Sequence, residues 1–317
     1  MPPRHVVVVG SVNQDIVLSV PAMPQGGATL LAISSRLSAG GKGANQAVAA
    51  ARSGAVTEFV CIFGADAASE DLRRSLEREG VILGAYAESS KPSGRAIVLV
   101  DPSGENCIVV DRGANSDLTA GLVSTRLQHL KAGDVVVVQC EIGTAAVEAA
   151  LRAGHEMGAT VVLNLAPFRQ LSQEALSSAT VIIVNEGEAA DLTAKEYPLG
   201  DPAAAAQLIA RTYNSSCIIT LGGRGSVVAE NEDVRVVPAA PVRRVVDTTG
   251  AGDAFVGTLA AGLATGNDLL AATHLATTAA ARTVTTLGAQ SFPTKQESSY
   301  LVAGRVADTG FRNRSTI

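Results

Sequence analysis

Short runs of Val and Ile recur along the chain at 6–10, 58–63, 135–139, 160–165, 181–184 and 217–221. They are apolar at nearly every position, not at every second one. This pattern predicts strands buried on both faces, as in a parallel sheet. Helical periodicity fills the intervals. Ala44, Ala47, Val48 and Ala51 recur at the spacing of one helix face. Asp201-Pro202 offers an N-cap and a proline at the first helical position of another helix. Thr294 and Glu297 have the spacing of a capping box. Strand–helix alternation of this kind predicts an α/β fold: a doubly wound, mostly parallel sheet flanked by helices.

Two segments break the rhythm. Residues 15–38 contain Pro21, Pro24, Gly26 and Gly27, followed by an extended stretch. Residues 95–110 read as a hairpin around Asp101-Pro102-Ser103-Gly104. Together they predict a small β-sheet projecting as a lid from a single domain spanning 1–317.

Composition narrows the function. The chain has 317 residues, 47% hydrophobic and 17% charged, so a sizeable core is expected. The net charge is −5 and no basic run is present, which gives no electrostatic reason to expect nucleic acid. Arg235, Arg243 and Arg244 read as a solvated face. No apolar stretch reaches the ~18 residues that span a bilayer, and the apolar run at 6–10 is shorter than a signal-peptide core of about 7–15 residues. A cytoplasmic protein is expected. Cys61, Cys107, Cys140 and Cys217 form no CxxC motif and read as reduced core residues. His5, His129, His155 and His274 are scattered, giving little support for a zinc site or a Ser-His-Asp triad.

The strongest chemical signal is Asp247-Thr248-Thr249-Gly250-Ala251-Gly252-Asp253, running into the apolar helix face of Leu259, Ala260 and Leu263. Glycines at a helix start let an anion approach unpaired backbone N–H groups and the positive end of the dipole. Gly250, Ala251 and Gly252 therefore suggest an anion hole for a transferring phosphate, with Asp253 beside it as a base for an attacking hydroxyl. A lone Gly-x-Gly-Asp would equally suit a helix cap; the full string favours chemistry. A second signal is Gly40-Gly41-Lys42-Gly43-Ala44-Asn45-Gln46. It is not a P-loop, because Gly43 follows Lys42 where Ser or Thr is required. Lys42 and Asn45 could donate hydrogen bonds to hydroxyls. Gly223-Arg224-Gly225 does not extend into GxGxxG, so a dinucleotide site is not supported.

In their order and separation, the two strings resemble the ribokinase branch of the PfkB carbohydrate kinase family, over almost the whole chain. The resemblance implies ATP-dependent phosphorylation of a sugar, most simply the 5-hydroxyl of D-ribose. It implies that Asn13, Asp15, Gly41, Lys42, Asn45, Glu141 and Asp253 contact the sugar, with Ala96, Val98 and Val110 as the apolar lid wall. It implies that Asn185, Thr220, Gly222, Gly225 and Gly252 serve ATP, and that Glu188 orders water on Mg²⁺. It further implies a monovalent cation, K⁺, held by Asp247, Thr249, Thr283, Thr286, Gly288 and Phe292, several of them through carbonyls. Relatives often have a hydroxyl residue where this chain has Phe292, and Pro-Gly-Glu-Thr where it has Gly26-Gly27-Ala28-Thr29. A kinase for 2-deoxyribose or another sugar or nucleoside is the near alternative. A non-catalytic sugar-binding protein on the same fold is the distant one. Strand alternation turns Ile97, Leu99 and Val109 away from the sugar; with relatives that dimerise through the lid, this implies a homodimer.

Overall fold

The computed structural model describes residues 4–84, 87–194 and 200–292. Among these, the first elements are β1 (His5–Val9), β2 (Asn13–Ser19), β3 (Ser34–Gly40), α1 (Lys42–Arg52), β4 (Val56–Val60), β5 (Ile62–Phe63) and α2 (Ala67–Arg78). Next come β6 (Ala87–Glu88), β7 (Gly94–Val100), β8 (Asn106–Asp111), α3 (Ala120–Arg126), β9 (Val135–Gln139), α4 (Thr144–Glu156) and β10 (Thr160–Asn164). The chain continues through α5 (Gln173–Ser177), β11 (Val181–Asn185), α6 (Glu186–Leu192), α7 (Pro202–Tyr213), β12 (Ser216–Thr220), β13 (Ser226–Glu230) and β14 (Asp233–Val237). Two long helices, α8 (Ala251–Ala264) and α9 (Leu269–Thr283), follow.

The main sheet has the order β14-β13-β12-β11-β10-β9-β1-β4. Pairing is parallel from β4 to β12 and antiparallel for β13 and β14. The all-apolar strands are explained by helices on both faces. Val6 and Val8 pack with Val48, Phe255 and Leu259 of α1 and α8. Val7 and Val9 pack on the opposite side with Val147 and Leu151 of α4. Each fully buried valine contributes roughly 1.5–3 kcal/mol relative to exposure, so the central strands can offset polar groups buried at their ends. Helix α8 is buried almost all round, as a helix apolar on every side must be.

The lid is a separate four-stranded sheet in the order β3-β2-β7-β8. β2 pairs antiparallel with β3 but parallel with β7, so the two insertions meet along their middle strands.

Several expectations are corrected. The run at 58–63 is two strands: the chain leaves the main sheet after Val60, and Ile62 and Phe63 pair with Ala87 and Glu88. The β13–β14 hairpin was not predicted. Its two-residue loop places Asn231 at φ 55°, a conformation Asn tolerates. All four cysteines are free, but Cys107 is exposed on the edge strand β8 and is not a core residue. Asp201 does cap α7, accepting from Ala203 and Ala204 N–H at 3.1 and 3.0 Å. Arg235, Arg243 and Arg244 are exposed. Thr294 and Glu297 lie outside the described residues.

Candidate active site

From β1 the sheet grows to β4 on one side and to β9, β10, β11 and β12 on the other. The order therefore reverses between β1 and β9, and a doubly wound sheet opens a crevice beyond the carboxyl ends of its strands at such a point. Ser11 and Asn13 follow β1, Cys140 and Glu141 follow β9, and Asn164 ends β10. Helices α1 and α8 both begin there and pack against each other. Gly41 has φ 89°, and a Cβ on it would lie 2.9 Å from both Asn13 N and Ser11 O. Gly250 has φ 80° and presses on the Ala289 carbonyl, 2.1 Å from where its Cβ would be. At Gly252, exposed in the first turn of α8, a Cβ would meet nothing within 4 Å. The helix start is therefore open to an anion on that side.

Asp253 is 7% exposed. Its Oδ2 accepts from Asn45 Nδ2 and its Oδ1 from Gln46 Nε2, each at 2.9 Å. Burial pushes its carboxyl above the usual range, opposed by the charge of Lys42 and by these two hydrogen bonds. Lys42 is pushed up, chiefly by Asp253, against its own burial. Glu141 Oε2 accepts from Ser11 Oγ at 2.5 Å and from Lys42 N–H at 3.0 Å. Asn13 Oδ1 accepts from Asn115 Nδ2 at 2.8 Å, and Asn115 is itself held by both backbone groups of Val12. That leaves the Asn13 amide nitrogen available to a ligand. Asp15 is buried, and its Oδ1 has no partner among the described residues. Burial, then the charges of Glu141 and Asp253, push its carboxyl up to about 7. Three carboxyl groups and one ammonium thus share a site that lacks enough donors, which suits a ligand rich in hydroxyls.

Cross-strand register puts Asp15, Ala96 and Val110 on one lid face, with Val17 and Val98 beside them. Ala96 and Val98 are buried, whereas Val110, on the edge strand, is exposed. Ile16, Leu37, Ile97 and Val109 form a row on the opposite face.

Asn185 and Glu188 form a reciprocal capping box at α6: Glu188 N–H donates to Asn185 Oδ1, and Asn185 N–H to Glu188 Oε2, both at 2.8 Å. Burial raises the Glu188 carboxyl, partly offset by the Asn185 N–H and the charge of Lys42, which links α6 electrostatically to the site. Thr220 ends β12, with its hydroxyl donating weakly to the Val184 carbonyl at 3.4 Å. Gly222 is open, but Gly225 packs on the backbone of 237–239, so close packing accounts for that glycine.

Near Gly250, Asp247 Oδ1 accepts from Thr249 N–H and Oδ2 from Gly288 N–H, each at 2.9 Å. Burial raises this carboxyl, but hydrogen bonds from Thr249 and Gly288 and the charge of Arg36 outweigh it, and the net shift is downward. The Thr283 hydroxyl donates to Ala279 O, and the Thr283 carbonyl accepts from Thr286 N–H. Carboxylate and carbonyl oxygens at Asp247, Thr249, Thr283, Thr286 and Gly288 are hard donors that fit an alkali cation. Phe292 departs from the expected set. Its side chain is buried, and its carbonyl accepts from Arg52 Nη1 at 2.9 Å, so a guanidinium already serves that oxygen. No group of three or more His, Cys, Asp or Glu suited to a metal occurs among the described residues.

Sequence reasoning missed Ser11, Asn115, Gln139 and Asn164, and gave no role to Gln46 although it closes the Gly40–Gln46 string. One signal was available: Gln139 and Asn164 are polar endings on otherwise apolar, buried strands. Ser11 and Asn115 carry no local signal.

The model of the pfkB family of carbohydrate kinases matches residues 3–296. A ribokinase from Haemophilus influenzae is 36% identical over 297 residues, covering 93% of this chain and 97% of its own. A deoxyribokinase from Salmonella typhimurium is 33% identical over 291 residues, covering 90% and 94%. The chain spans only 55% of a bifunctional ribokinase/ribose-5-phosphate isomerase A from Fructilactobacillus sanfranciscensis, with 37% identity over 92% of its own length. The structure of an Arabidopsis thaliana ribokinase complexed with ribose and ATP superposes with a TM-score of 0.83 at 29% identity, covering 95% of this chain and 99% of that one.

Proposed function

The chain belongs to the pfkB family of carbohydrate kinases, and from that premise we propose that it transfers the terminal phosphate of ATP to the 5-hydroxyl of D-ribose. The carrying observation is a buried carboxylate, Asp253, in the first turn of a helix whose start is open at Gly252. Asp253 takes the hydroxyl proton. The N–H groups of Gly250, Ala251 and Gly252 stabilise charge on the moving phosphoryl group. Positioning the hydroxyl in line does most of the work, because a loose transition state asks little of the base until late.

Asn13, Asp15, Gly41, Lys42, Asn45 and Glu141 hold the sugar, and Ala96, Val98 and Val110 wall it in. Thr220, Gly222 and Gly225 run along the nucleotide, with Asn185 near its phosphates. Glu188 would hold water on a Mg²⁺ ion bound with ATP, and such an ion would supply charge neutralisation.

Ribose is favoured over 2-deoxyribose by the Asp15 oxygen that lacks a partner. A buried group left unpaired costs about 1–3 kcal/mol. In an ADP-release assay over pentoses, hexoses and nucleosides, kcat/KM for ribose is expected to exceed that for 2-deoxyribose by about tenfold or more. The reverse order would transfer the assignment to the deoxysugar, as in the deoxyribokinase relative.

Oxygens of Asp247, Thr249, Thr283, Thr286 and Gly288 would hold K⁺, which would supply a fixed charge that steadies the loop carrying Gly250. The same assay is expected to run faster in K⁺ than in a large organic cation at matched ionic strength. Equal rates would exclude the ion.

A homodimer through the lid completes the proposal. Leu37 and Val109 are 63% and 61% exposed in the outward row, beside the unpaired edges of β3 and β8. Exposed strand edges flanked by apolar residues are normally covered, and a second lid would cover both copies at once. Sedimentation at micromolar concentration should give a dimer, and Val109→Lys a monomer. A wild-type monomer with full activity would remove this part. The setting proposed is cytoplasmic, where ATP is abundant and free thiols stay reduced.

A further inference from the structure

Asp253 is held through both oxygens, but by donors of different standing. Asn45, which gives its N–H to Oδ2, lines the proposed sugar pocket. Gln46, which gives its N–H to Oδ1, is 0% exposed beneath it. The same Gln46 nitrogen donates to Asn164 Oδ1 at 3.0 Å. The Asn164 nitrogen in turn points at the Ile183 carbonyl, at 3.5 Å. A strand carbonyl can only accept, so it turns the Asn164 nitrogen towards β11 and the oxygen towards Gln46. That oxygen then turns the Gln46 nitrogen towards Asp253. Flipping Gln46 would set its oxygen against both the Asp253 carboxylate and the Asn164 oxygen. The arrangement leaves Gln46 Oε1 buried without a partner among the described residues, next to a sheet in which both amide atoms of Gln139 also lack one there. Both N–H bonds of Gln46 are therefore committed to acceptors at the expense of its oxygen.

We propose that Asn164 and Gln46 form a positioning relay that anchors Asp253 by Oδ1, and that Oδ2 is the atom that takes the proton. The inference rests on the reading of Asp253 as base. Asn45 is the donor that gives way, because it belongs to the proposed sugar pocket and its Nδ2 carries a second N–H for a sugar oxygen, while its own oxygen stays fixed by Gln290 Nε2 at 3.1 Å. On sugar binding, Oδ2 exchanges the Asn45 N–H for the substrate hydroxyl while Oδ1 stays anchored. The hydroxyl proton passes to Oδ2, and the hydroxyl oxygen bonds to the terminal phosphorus. The bond from that phosphorus to the bridging oxygen breaks, and ADP leaves with the electron pair.

Gln46→Met keeps the length of the side chain and removes the donor. We expect kcat to fall about tenfold or more, with sugar affinity by calorimetry little changed. An N–H to an ionised carboxylate favours the charged form, so its loss should move the acid limb of the kcat–pH profile upward by about one unit. Asn164→Leu leaves Gln46 in place but unheld, and should move the limb in the same direction by less. The double variant should be no worse than Gln46→Met alone, because the two residues act in series. An acid limb unmoved in both single variants, or full additivity in the double, would overturn the relay. If Gln46→Met fails to fold by thermal melt, Asn164→Leu decides alone: an unmoved limb overturns the relay and a shifted one supports it. Asp253→Asn run alongside separates the two ideas. An active Asp253→Asn sinks the base itself, whereas an inactive one with an unmoved limb in Gln46→Met sinks only the relay.

Discussion

Asp253→Asn is expected to lower kcat by ~100-fold or more, the scale for removing a positioned base, while ATP and sugar still bind. The substitution is nearly isosteric but not silent. Asn45 and Gln46 each aim an N–H at one carboxylate oxygen. An asparagine must turn its own N–H₂ towards one of them, at a cost of about 1–3 kcal/mol if that donor stays buried and unpaired. Removing the Asp253 charge also removes the largest influence holding Lys42 up and one of the three that hold Asp15 up. Single-turnover measurements with calorimetry of each ligand separate the lost chemistry from these effects. Near-normal turnover would eliminate Asp253 as the base.

What the sequence reveals of this site follows from how locally each part is encoded. Asp253 and Gly250–Gly252 are legible because the anion site is one continuous turn, with the glycines and the carboxylate adjacent in the chain. The network behind it is not. Asn45 and Asp253 are 208 residues apart and Gln46 and Asn164 are 118 apart, and no local pattern announces which distant amide faces which. The lid is legible from its Pro and Gly punctuation, but the parallel pairing of β2 with β7 is a non-local choice of register that neither insertion contains. The β13–β14 hairpin was hidden by its polar edges: β14 is mostly exposed and β13 carries Ser226 and Glu230, so neither gives the all-apolar run that marks the central strands. Asn185 and Glu188 illustrate a different limit. Their spacing suits both a nucleotide motif and a capping box; the box is formed here, and the spacing alone does not separate the two uses.

Asp15→Asn is expected to stabilise the sugar-free protein strongly at about pH 8 while impairing the enzyme. The sign follows from the direction of the shift. Burial, with Glu141 and Asp253, pushes the Asp15 carboxyl from 3.8 to about 7 in the folded state, so the native protein holds this proton more tightly than the unfolded chain does. The resulting stability is present in full below 3.8 and is lost as pH rises through about 7. Above that, an ionised carboxylate with a buried, unpartnered Oδ1 opposes folding. Asparagine keeps the shape and removes the charge, so the gain should be on the order of 2–4 kcal/mol near pH 8 and clearly smaller near pH 5. Thermal melts across that range measure it, and a gap independent of pH would refute the shift. The same oxygen makes the opposite demand once sugar is present. A hydroxyl donating to Oδ1 supplies the missing partner and favours the charged form. Binding should therefore release a proton near pH 7, seen by calorimetry as a buffer-dependent enthalpy, and sugar affinity should weaken as pH falls below 7. In Asp15→Asn the proton release should vanish, affinity should drop, and its pH dependence should flatten. The destabilising charge of the free protein is then the group that the sugar satisfies, and stability and recognition trade against each other at a single side chain.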